Sequence, residues 1–189
     1  MKRVQMFLAG AFIAVGSLYA QSSDAEWQAG VAKLKETIQA NPAQAAEEAG
    51  QMIKGKNKKN IELLVAIGEA YLEAGKIPEA QQYAALAKKA NGKSADAAVL
   101  EGDIALKQKN AGLASQKYEE AIYFNPRCAA AYLKFADIYK MANSSLAIEK
   151  LNQLKALQPS NTGVDKKLAE IYYFCLLYTS PSPRDRQKS

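Results

Sequence analysis

The stretch Lys117-Tyr-Glu-Glu-Ala-Ile-Tyr-Phe-Asn-Pro126 decides how the chain folds. It reads as the second helix of a two-helix hairpin. Tyr118 and Ala121 share one helix face by their i, i+3 spacing. Pro126 lacks the amide proton a helix needs and stops it. Pieces of this stretch recur along the chain at a nearly fixed interval, and that recurrence carries more weight than the helix itself.

A step of 34 residues carries Gly68 onto Gly102, Ala80 onto Ala114, Ala87 onto Ala121, and Gly92 onto Pro126. The same step places Tyr118 at the position of Ala84, and backwards it places Ala46 at that of Ala80. Tyr132, Phe135-Ala136 and Tyr139 begin a further unit, whose second helix carries Ala147, Leu151 and Leu154 before Pro159. There the interval drops by one, within Ala142-Asn-Ser-Ser145. Leu168-Ala169 and Tyr172 start one more. Alanine, leucine, lysine and glutamate are abundant and no Val/Thr-rich alternating run occurs, which favours an all-α protein.

Leu64, Ile67-Gly68 and Tyr71 follow W-x2-L-G-x2-Y, with Leu in the Trp place. On these residues, and on Gly102, Ala114, Tyr118, Ala121 and Pro126, the chain resembles the tetratricopeptide repeat family over about Ile61–Phe174. The resemblance implies an α-solenoid of antiparallel helix hairpins, the TPR superhelix, in which stacking supplies a core that no single hairpin can bury. Small residues (Gly68, Ala80, Gly102, Ala114, Ala136, Ala147) are expected where helices meet most closely, and large ones (Tyr71, Tyr118, Tyr132, Tyr139, Leu151) beside them. Glu101 and Ala105 stand where large apolar residues are usual, so looser packing is expected between the second and third hairpins. Tyr132-Leu-Lys-Phe-Ala-Asp-Ile-Tyr139 and the N-terminal segment also look like periplasmic repeat proteins of Bacteroidetes-type bacteria.

The organisation expected is 1–20 signal peptide, 21–60 degenerate first hairpin, repeats over 61–94, 95–128 and 129–161, the first helix of a truncated repeat over 162–174, and a tail over 175–189. Lys2 and Arg3 precede the apolar run Met6–Val15, which is too short to span a bilayer comfortably, and Ser17-Leu-Tyr-Ala20 resembles a signal-peptidase site. In the first hairpin, Ser23 and Glu26 have capping-box spacing. Trp27, Val31, Leu34 and Ile38 share a face, and Ala46 and Ile53 belong to the second helix. The lysine run Lys54–Asn60 reads as a solvated turn, with a patch for an anionic surface as the alternative. Cys175–Asp185 resembles a translated sequencing-library adapter, so the natural sequence is expected to leave this chain after Phe174. Leu168, Ile171 and Tyr172 are then expected to be partly uncovered, with Leu176, Leu177 and Tyr178 able to prolong the helix by accident.

Composition narrows function. The formal charge is +6, of which the signal contributes two and the tail two, leaving +2 for Gln21–Phe174. Nucleic acid is therefore not an expected partner, and membrane contact is expected only through an uncleaved signal. There is no histidine, which removes Ser-His-Asp and Cys-His pairs and His-based metal sites. Gly92-Lys-Ser94 lacks the rest of a phosphate loop. Catalysis is not expected, and neither is a cofactor or a metal.

The resemblance implies a concave face lined by the first helix of each hairpin. The ninth position of successive units holds Glu69, Asp103, Asp137 and Glu170. Val65, Val99 and Leu133 stand at the fifth and Leu72 and Leu106 at the twelfth, followed there by Lys140 and Tyr173. An acidic line flanked by aliphatic residues suits a protein or peptide with a basic and apolar segment. Solvation alone is the plainer account of the same carboxylates. The basic fifth-position residues with which chaperone-binding members clamp a carboxylate terminus are absent. The expected function is a non-enzymatic scaffold or assembly factor, exported to the periplasm or envelope. A cell-surface carbohydrate-binding module, or the regulatory domain of a larger enzyme or sensor, remain alternatives.

Overall fold

The helices begin where a side chain satisfies an amide that the helix itself cannot. Asn41, Asn60, Ser94, Asn110 and Asn143 each accept from the backbone N–H three residues ahead, which is how an N-cap occupies one of the orphan donors of the first turn. The computed structural model describes residues 27–179. They form a helix over 27–40 (α1), α2 (Pro42–Met52), a 3-10 turn (Gly55–Lys59), α3 (Ile61–Glu73), α4 (Ile77–Ala90), α5 (Ala95–Lys107), α6 (Ala111–Phe124), α7 (Ala129–Ala142), α8 (Ser144–Leu157) and α9 (Thr162–Thr179). Among the described residues there is no strand, and no helix is long and apolar enough to cross a membrane. The signal peptide, the Ser23–Glu26 capping box and residues 180–189 lie outside the described residues.

The chain is an all-α solenoid in which α3/α4, α5/α6 and α7/α8 are successive hairpins and each next first helix packs on the pair before it. The core shows why stacking is needed. One buried cluster runs from Val31 through α3 and α4 to Leu100 and Ile104 of α5. The next joins α5 and α6 to Phe135 of α7, and the last joins Tyr132 of α7 to α8 and to Val164, Leu168 and Ile171 of α9. Every cluster thus borrows a helix from the following unit. Fully burying one such large side chain contributes about 1.5–3 kcal/mol.

Close approach explains the small residues. A Cβ on Gly102 would lie 2.4 Å from the Tyr118 ring, and one on Gly68 would lie 2.5 Å from Leu100. Ala80, Ala114, Ala136 and Ala147 are fully buried, as the recurrence predicts. The α3–α4 connection closes with Gly75 at φ +75°, and the α5–α6 connection with Lys109 at φ +61°. Both make the paired C-terminal hydrogen bonds of a left-handed cap, Lys76 N–H to Tyr71 C=O and Asn110 N–H to Ala105 C=O. The shortened unit over 129–161 has Asn143 alone between α7 and α8, at φ −155°, so the dropped residue is the left-handed one.

Several expectations need correcting. Ala46 is exposed, while Ala45 and Ala49 are buried. The first interval is thus one residue longer than expected, because the lysine run coils into the 3-10 turn, held by Asn57 Nδ2 on the Met52 carbonyl at 3.2 Å. Leu168 and Ile171 are buried rather than uncovered, since α7 and α8 together cover that face of α9. Tyr172, Tyr173, Leu176 and Leu177 are the exposed ones. The last helix runs past Phe174 to Thr179, the prolongation that Leu176, Leu177 and Tyr178 allow, because Cys-Leu-Leu-Tyr carries no helix breaker.

Beside Glu101 and Ala105 the looser packing is confined to the surface, since Leu100, Ile104 and Ala105 are buried between the hairpins. A cavity of about 270 Å³ opens there, with Ile104 and Leu113 also on its wall. Glu101 is nevertheless not stranded. Lys117 reaches it at 2.7 Å and Lys88 at 3.1 Å. Burial works against the charge on Lys117, but the carboxylates of Glu101 and Glu120 outweigh it and hold its pKa high.

Candidate functional site

The ninth-position carboxylates lie on the first helices α3, α5, α7 and α9, and they are not equivalent. Asp103 accepts from the hydroxyl of Tyr118 at 2.7 Å and from Lys134 Nζ at 2.8 Å. Asp137 is bound by Lys167 at 2.8 Å and Lys140 at 3.3 Å. Glu170 is bound by the same two lysines, each at 2.8 Å. Those hydrogen bonds pull the Glu170 carboxyl down to about 2.

The pattern has a rule. Lys134 and Lys167 occupy the sixth position of their units, and each reaches back to the ninth-position carboxylate of the unit before. A lysine ammonium on a flexible stem makes that reach without distorting either helix. The sixth position of the unit over 95–128 is Leu100, fully buried against Gly68. Among the described residues no lysine therefore forms an ion pair with Glu69. Glu69 is exposed at the groove's opening, yet partial loss of hydration against the groove walls and the nearby Asp103 carboxylate push its pKa up, against a smaller opposing pull from Lys134. Glu69, Leu72 and Glu73 of α3 line a cavity of about 330 Å³ with Asp103, Lys107 and Lys134.

The aliphatic flank differs from expectation. Val65 and Val99 are buried in the core and offer a partner almost no surface, because the fifth position turns inward between stacked first helices. Leu72 and Leu133 are half-buried, and Leu106 is exposed. Lys134 and Lys167 escaped the sequence reading. Their 33-residue separation equals the shortened repeat interval, and that recurrence is the signal for them.

Among the described residues no three His, Cys, Asp or Glu side chains gather as a metal site would require. No protein-family model and no curated protein sequence matches the chain. Solved structures do. A thermophilic TPR protein of Thermus thermophilus, TTC0263, superposes with a TM-score of 0.56 at 17% identity, covering 84% of this chain and 94% of that one. Its fold is the tetratricopeptide-repeat solenoid. A tetratricopeptide repeat protein from Parabacteroides merdae is similar with a TM-score of 0.54 at 18% identity, over 84% of this chain and 71% of that one. The Naa15/Naa10 complex bound to HypK-THB matches with a TM-score of 0.50 at 20% identity, over 76% of this chain and 22% of that one. The tetratricopeptide solenoid here thus carries a groove whose acidic line is neutralised at three of its four carboxylates and left open at Glu69.

Proposed function

We propose that the chain is a non-enzymatic protein-binding scaffold that takes a peptide segment along the first-helix face, with a basic side chain of the partner against Glu69. One observation carries this. Glu69 is the ninth-position carboxylate that lacks the lysine its successors receive, and it sits in an open groove beside Leu72. An ammonium or guanidinium from a partner supplies the missing counter-charge, and Leu72 and Leu106 supply apolar contact. The TPR solenoid suits this use, since its curved stack presents an extended face. A structural neighbour, Naa15/Naa10, is described as bound to HypK-THB, which supports partner binding by this architecture.

Peptide-array binding followed by fluorescence anisotropy tests the reading. Peptides with lysine or arginine beside apolar residues bind, and Glu69→Lys weakens them about tenfold or more. Preference for acidic C-termini, or indifference to Glu69→Lys, contradicts it. Export to the periplasm or envelope, and kinship with Bacteroidetes-type periplasmic proteins, belong to the same proposal. They rest on Met1–Ala20, and mass spectrometry of the N-terminus in fractionated cells tests them; a chain retained in the cytoplasm with Met1 intact contradicts export.

A further inference from the structure

A second cleft lies away from the acidic groove, where the 3-10 turn meets the carboxyl ends of α2 and α4. Its volume is about 650 Å³, within the range of about 300–1,000 Å³ typical of ligand clefts. Ile53, Leu86 and Ala90 form an apolar floor, half-buried and continuous with the first core cluster. Lys54, Lys58, Lys59 and Lys89 ring it, all exposed. None of the four forms an ion pair among the described residues, whereas Lys88, next to Lys89 on α4, does. The carboxyl ends of two helices offset about one of these positive charges, so most of the rim's charge is left for a ligand to neutralise.

We propose that this cleft binds an acidic peptide segment of a partner protein, with one or two apolar side chains on the floor and carboxylates on the lysine rim. Charge complementarity selects the occupant. Four unpaired ammonium groups around one opening call for several negative charges, which a single acyl-chain headgroup does not supply. The floor is recessed between three elements, so a flat bilayer surface does not reach it, while a peptide side chain does. The cleft and the Glu69 groove then select segments of opposite charge, and one chain holds two different partners, or two parts of one.

A fluorescein-labelled peptide of alternating glutamate and leucine is the probe, with a lysine-for-glutamate version and an all-glutamate version as controls. Anisotropy is read on the full chain at about 50 and about 300 mM salt, because screening weakens exposed charge pairs. The acidic-apolar peptide binds and weakens with salt. The Lys58→Gln/Lys89→Gln double variant weakens it about tenfold, Leu86→Ala weakens it further, and Glu69→Lys leaves it unchanged. Circular dichroism melts confirm that the glutamine variants stay folded, and they carry the decision if Leu86→Ala does not fold. No binding of the acidic-apolar peptide overturns the proposal. So does binding indifferent to the lysine substitutions, binding equal for the all-glutamate peptide, or loss of binding through Glu69→Lys. Sedimentation with phosphatidylglycerol vesicles through these same lysines, without peptide binding, overturns it in favour of a membrane surface. Binding of basic peptides at Glu69 is a separate assay, so the two readings fail independently.

Discussion

Tyr118 donates a 2.7 Å hydrogen bond to Asp103 from a ring that is fully buried. The bond joins the scaffold helix α6 to the groove helix α5. Burial first, and then the Asp103 carboxylate, push the Tyr118 pKa well above its usual value, so the hydroxyl keeps its proton at any physiological pH. Asp103 is thereby turned into a fixture of the hairpin, and it is a poor candidate for capturing a partner.

Tyr118→Phe removes this bond while keeping the ring against Gly102. The Asp103 carboxylate retains Lys134 and solvent, so the cost is about 1–2 kcal/mol, near the low end for a hydrogen bond to a charged group. Urea denaturation measures it, and binding at Glu69 stays unchanged.

Gly102→Ala is destabilising although alanine is the better helix former. Its Cβ would lie 2.4 Å from the Tyr118 ring, and the ring is held by Asp103 and cannot step aside. Overpacking costs about 1–3 kcal/mol, which exceeds the roughly 1 kcal/mol that helix propensity returns. Gly50→Ala, with nothing within 4 Å of the added Cβ, is stabilising. Thermal melts of the two variants shift in opposite directions.

Glu69→Gln raises stability at neutral pH. A carboxylate whose folded pKa is raised binds its proton more tightly in the native state. Stability therefore falls as pH rises from the ordinary carboxylate value through the folded one. The variant lacks this loss, so its melting temperature exceeds the parent's at neutral pH and matches it in acid, where Glu69 is protonated in both states.

Glu170 behaves in the opposite sense. Lys140 and Lys167 hold its pKa at about 2, below the unfolded value, so its contribution is complete above pH 4.5 and is lost as pH falls toward about 2. Glu170→Gln is less stable than the parent at neutral pH, and the gap closes across that window in a melting series.

Lys109→Gly relieves a left-handed backbone that glycine adopts freely. The strain of a non-glycine residue there is about 1–2 kcal/mol, and the extra entropy of the unfolded glycine chain offsets about 0.4–1 kcal/mol of it. A net gain of about 0.5 kcal/mol is expected in denaturant titration. Gly75→Ala, at φ +75°, costs stability for the same reason.

Residues that carry geometry were legible in order. Gly68, Ala80, Gly102, Ala114, Tyr118 and Ala147 recur at the repeat interval and sit at close helix contacts. Hairpin packing at these positions depends mainly on side-chain size, and size is written in the residue type. The Ala46 reading failed because an insertion in Lys54–Asn60 moves the register by one, and a turn of lysines gives no periodic signal to show which residue is extra.

The amino-acid order alone therefore established an all-α repeat, its hairpin partners and the shortened third interval, because periodicity and size act locally. Stacking determined which carboxylates are paired across units. Glu69, Asp103, Asp137 and Glu170 are indistinguishable as a ladder in sequence, yet one is unpaired, one is locked by a tyrosine and a lysine, and two share a pair of lysines. Lys140 beside Asp137 and Lys167 beside Glu170 are local i, i+3 pairs, but the links from Lys134 to Asp103, Lys167 to Asp137 and Lys140 to Glu170 cross about thirty residues between first helices of successive units. An ammonium's usefulness to a carboxylate depends on a distance of a few ångströms, which only the superhelical stacking of one unit on the next specifies.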